Sequence, residues 1–166
     1  MDDTPADAYE AVLLEKIEDA KQHLDVASLC TILVGAHALA PLLVMRCCDA
    51  LDHVVRHDRA VCTAAVARGA IRHVLRAIED SASVVSLTSC WALLRELVNT
   101  NVAFAAQAVD GGALELALTS IRLSENDTML IVASSALRGL TLDVGHATRA
   151  VELGAIEVYL AASAYV

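Results

Sequence analysis

Aromatic side chains are nearly missing from this chain: its 166 residues include one Phe, one Trp and three Tyr. Apolar residues still make up 57%, so any core must be built from Ala, Leu and Val. Two prolines and seven glycines are too few for the many tight turns of an all-β protein. Helix formers dominate what is left, and an all-α fold is expected. A chain of this length buries a real core, either as one compact domain or as about four stacked helical units.

Basic charge is also scarce. The net charge is −9, and residues 1–25 hold eight acids against Lys16 and Lys21. The remainder carries ten arginines and thirteen acids with no basic stripe, which argues against a nucleic-acid partner. Seven acids among the first nineteen residues also read against a signal peptide. The acidic N-terminus suits solubilisation, or the steering of a basic partner.

Cys30, Cys47, Cys48, Cys62 and Cys90 are odd in number, lack C-x-x-C spacing and sit inside apolar helical segments. There a free Cys behaves as a small hydrophobe, and the expected compartment is reducing: intracellular, and most simply cytoplasmic. Val26–Met45 contains no charged residue over twenty positions, long enough to span a bilayer. Ser28, Thr31, Gly35, His37 and Pro41 interrupt it, and Pro suits the first turn of a new helix, so two consecutive buried helices are expected.

Catalytic signatures are absent too. No phosphate-binding loop, dinucleotide fingerprint or nucleophile elbow occurs, and no enzyme or cofactor is expected. His53 and His57 are spaced i, i+4, which can suit a metal, but no third ligand is placed and no metal is expected.

What the chain does have is a repeat. Gly69-Ala70-Ile71, Gly112-Ala113-Leu114 and Gly154-Ala155-Ile156 recur with their glycines 43 and 42 residues apart. Self-similarity of about 40–47 residues marks a helical solenoid. Apolar periodicity places helices at 8–24, 25–37 and 40–56, then 59–67, 70–80 and 84–98. The same pattern continues at 102–110, 113–123 and 127–142, followed by 145–152 and 155–165. Ser83 and Asp127 are the expected N-caps of two long helices.

Short helix, Gly, medium helix, long helix: this pattern resembles the armadillo repeat. The resemblance is carried by Gly69-Ala70-Ile71 with Val74-Leu75, then Ala92-Leu93-Leu94 and Leu97. It returns in Gly112-Ala113-Leu114 with Leu116 and Leu118, then Ala136-Leu137 and Leu140. It implies one domain, 1–166, forming a right-handed α-solenoid of about three and a half three-helix repeats: 8–57, 58–100, 101–143 and a partial 144–166.

It further implies that the long third helices line a concave groove holding an extended peptide. Nuclear-import adaptors of that family place W-x-x-x-N there. Here Trp91 is followed by Arg95, and the matching pairs read Asp49 with His53 and Ser135 with Gly139. The ladder is absent, which argues against a receptor for nuclear-localisation signals, and the arginine favours an acidic or neutral peptide. The expected partner-binding residues are Asp49, His53, Trp91, Arg95, Asn99 and Arg138. The last unit has no long helix and one charge, Glu157, in its final segment. Two explanations stand, a piece of a longer solenoid or an open end that pairs with a second copy. Self-association through Val158, Leu160 and Tyr165, most simply as a homodimer, is the alternative role, whether as a structural subunit or as a regulatory domain of a larger complex.

Overall fold

Short polar side chains punctuate the fold at regular intervals. A computed structural model describes residues 5–36 and 40–163 of the chain. Asp58, Asn101 and Asp143 each precede a nine-residue helix: α4 (Arg59–Ala67), α7 (Val102–Asp110) and α10 (Val144–Glu152). Each accepts the backbone N–H two residues on, at 2.7, 2.9 and 2.8 Å, satisfying a donor the helix leaves open. Each short helix ends at a glycine in the left-handed region: Gly69, Gly112 and Gly154, with φ of 84°, 89° and 88°. A side chain would be strained there, which is why glycine recurs.

After these turns come α5 (Ala70–Asp80), α8 (Ala113–Leu123) and α11 (Ala155–Ser163). Beyond α5 and α8 the connection is again the same. The Oγ of Ser81 accepts the N–H of Ser83, and the Oγ of Ser124 accepts that of Asn126. Ser83 then caps α6 (Val84–Thr100) as expected. The cap of α9 (Asp127–Leu140) is Asn126, which accepts the Met129 N–H at 2.9 Å; Asp127 is the first helical residue instead.

The N-terminal part contains α1 (Pro5–Gln22), α2 (Val26–Ala36) and α3 (Pro41–His57). The uncharged stretch 26–45 is thus divided between two helices, with Pro41 opening the second. Among the described residues no helix is long and apolar enough to cross a membrane. These eleven helices are the only regular elements among the described residues, and the all-α expectation holds.

The three long helices α3, α6 and α9 begin 43 residues apart, and α6 packs against both of the others. Leu43, Leu51, Trp91, Leu94, Leu97 and Leu137 lie in the shared core. Polar ties lock α6 to α3 and to α4: Ser86 donates to the Pro41 carbonyl at 2.8 Å, and Arg59 donates to that of Thr100 at 2.7 Å. All five cysteines are free and buried in the same core.

Candidate partner-binding face on the long helices

Because α3, α6 and α9 begin 43 residues apart, residues offset by 43 occupy equivalent places on successive helices. Exposed side chains recur at helical spacing along each: Leu42, Arg46, Asp49, His53 and Arg56 on α3; Val85 and Asn99 on α6; Ile131 and Arg138 on α9. Leu42 and Val85 are equivalent, and Ile131 lies about one turn further along its helix. All three are well exposed, Ile131 at 68%. The resulting ladder has apolar rungs near the N-terminal ends of the long helices and polar ones toward their C-terminal ends.

The polar end is an ion network across α3 and α6. Arg56 contacts Asp52 at 2.7 Å on its own helix and Glu96 at 3.5 Å on the next. Arg95 donates from Nε and Nη2 to the same Glu96 oxygen, at 3.0 and 2.8 Å. Two acids are therefore matched by two guanidinium groups. Asp52 is the strained member. Its Oδ1 is buried without a hydrogen-bond partner, and burial raises its pKa although Arg56 pulls the other way. The Asp52 bond in turn pushes the Arg56 pKa up, keeping that cation charged.

The expected site residues fall into distinct groups. Asp49, His53, Asn99 and Arg138 are exposed along the long helices. His53 meets His57 edge to face at 4.8 Å, and no metal-binding cluster is found among the described residues. Arg95 is half-buried with its charge engaged by Glu96. Trp91 does not belong to the face: it is 0% exposed, and its indole N–H donates to Ser120 Oγ at 3.2 Å.

The correction has a simple geometric cause. In the 43-residue register Trp91 matches Cys48 and Ser134, one residue before Asp49 and Ser135. One residue on a helix is about 100° of rotation, enough to exchange the wet side for the core. Among the residues expected to self-associate, Val158 is buried at 4% and Leu160 is exposed, while Tyr165 lies outside the described residues.

Compared with models of known protein families, with curated proteins and with solved structures, this chain has no match.

Reading the residues singly missed Leu42, Val85 and Ile131, and also the Asp52–Arg56–Glu96 network. The signal for Leu42 and Val85 was the 43-residue register applied to apolar positions; Ile131 falls outside it, since the register leads to Thr128. For the network it was only the i, i+4 spacing of Asp52 and Arg56, since Glu96 comes from another helix. Chemically, the face offers apolar contact at one end. At the other it offers donors from Asn99 and Arg138, beside arginines already held by acids.

Proposed function

We propose that the chain is a protein-interaction module, an armadillo-like α-solenoid whose long helices α3, α6 and α9 hold a segment of a partner protein. The observation that carries this reading is the pair of exposed, equivalent residues Leu42 and Val85 with exposed Ile131 one turn further along α9, flanked by Asn99 and Arg138. Adjacent packed helices lie about 8–10 Å apart, and an extended chain covers that distance in about three residues. A peptide crossing the three helices would place an apolar side chain on each rung. Arg56 and Arg95 are compensated by Asp52 and Glu96, so Arg46 and Arg138 are left to favour an acidic or neutral segment. Five free, buried thiols support a reducing, cytoplasmic setting.

Val85→Asp combined with Ile131→Asp tests the reading. Both side chains are already in water, so the melting temperature should move little while partner binding falls by about tenfold or more. Undiminished binding by a folded double variant would refute it.

A further inference from the structure

Independently of what the long-helix face binds, we infer that Cys48 of α3 and Cys90 of α6 are a redox pair. A hydroperoxide converts them to a disulfide that ties the two helices together, and a thiol reductant restores them. The geometry is direct. The two sulfurs lie 3.7 Å apart, in van der Waals contact, although 42 residues separate them along the chain. A disulfide bond is about 2.05 Å long, so the sulfurs must approach by roughly 1.7 Å, within reach of side-chain rotation and a small helix shift.

The neighbouring thiols are directed elsewhere. Cys47 donates to the Leu29 carbonyl at 3.0 Å, and Cys62 donates to the Thr100 hydroxyl at 3.4 Å. Adjacent Cys47 and Cys48 point about 100° apart on α3. Cys48 and Cys90 are the one pair of cysteines among the described residues whose sulfurs touch. A metal clip is the rival use for two such thiols. No group of three or more His, Cys, Asp or Glu able to hold an ion is found among the described residues, so the clip has no further ligand.

Burial decides how the reaction runs. Both residues are 0% exposed, and the attacking species is a thiolate. Oxidation therefore begins when α3 and α6 part briefly and admit water. One sulfur loses its proton to water and attacks the O–O bond of the peroxide. It becomes a sulfenic acid, and with hydrogen peroxide the other oxygen leaves as water. As the helices close, the second sulfur is the nearest nucleophile to that sulfenic acid. It attacks, the S–O bond breaks, the departing hydroxyl takes up its proton as water, and the S–S bond forms. Two thiols and one hydrogen peroxide thus give one disulfide and two waters. Closure of the apolar core around the pair shuts out a second peroxide, which would otherwise carry the sulfur on to sulfinic acid. The link joins two helices that already pack together, and closing a long loop of chain stabilises the oxidised form.

The test holds the full-length chain a few degrees below its melting temperature with hydrogen peroxide, then alkylates the remaining thiols after unfolding. Non-reducing peptide mapping by mass spectrometry should find Cys48 joined to Cys90, with Cys30, Cys47 and Cys62 alkylated. The oxidised protein should melt about 5–10 °C higher than the reduced one, and dithiothreitol should reverse the shift. Cys48→Ala and Cys90→Ala should each abolish the link and the shift, whereas Cys47→Ala should keep both. The wild-type peptide map decides by itself should an alanine variant fail to fold. Disulfides drawn from Cys30, Cys47 or Cys62, or sulfinic acid at Cys48 or Cys90 without a crosslink, would overturn the inference. So would five intact thiols after a treatment that fully oxidises the urea-unfolded chain.

Discussion

Trp91, in the middle of α6, donates its indole N–H to the Oγ of Ser120, near the end of α8, across 3.2 Å. The largest side chain of the core thus joins two helices and has its one polar group satisfied. Trp91→Ala should cost about 3–5 kcal/mol, and Ser120→Ala about 0.5–1.5 kcal/mol. Urea denaturation followed by circular dichroism checks both. A Trp91→Ala protein that melts like wild type would return Trp91 to the surface.

Backbone strain gives two predictions of opposite sign. Leu24 sits between α1 and α2 with φ 55°, a left-handed conformation unfavourable for a branched side chain, and it is half exposed. Leu24→Gly should raise stability by up to about 1 kcal/mol by relieving that strain. Gly112 has φ 89° with open space where a Cβ would lie, so Gly112→Ala should lower stability by about 1 kcal/mol through strain alone. Paired thermal melts read both signs.

Cysteine reactivity should follow unfolding. Burial pushes the Cys30 thiol up to about 11 and those of Cys47 and Cys62 upward as well. Contact with Cys90, Sγ to Sγ at 3.7 Å, holds Cys48 protonated. Thiolate is the reactive form, so a thiol reagent should label the native protein slowly and all five residues after denaturation. Fast native labelling of Cys47 or Cys48 would contradict this packing.

Asp52 sets a pH dependence. Burial raises its folded pKa, so the folded state favours the neutral acid. The stabilising contribution is therefore full below the unfolded value, about 3.9, and is lost as pH rises through the folded one. Asp52→Asn cannot ionise and keeps an oxygen for Arg56. Relative to wild type it should gain stability as pH rises from the acid range toward neutrality. Denaturation curves at several pH values should show that gap widening; a gap that narrows would assign the opposite shift.

Local signals made much of the architecture legible. Asp58, Gly69 and Ser83 act within a few residues of themselves, so helices α4, α7 and α8 begin and end at the residues expected. The face was harder. Whether Trp91 faces the core or the wet side depends on helix register to one residue, and a lone Trp in an aromatic-poor chain suits a core anchor as well as a binding one. The meeting of Arg56 with Glu96 depends on how α3 lies against α6, which no local spacing encodes. Arg95 pairs with Glu96, its own neighbour in sequence, a contact that adjacency allows without requiring.

Site-specific photocrosslinking in cells tests the binding face most directly. A photoreactive residue placed singly at Val85 or Ile131 should capture a partner segment, and the adduct should map to an apolar stretch of acidic or neutral charge. The same residue at Arg76 or Thr119, exposed on α5 and α8, should give little of that adduct. Equal capture from all four positions, or capture confined to Arg76 and Thr119, would contradict the assignment of the face of α3, α6 and α9.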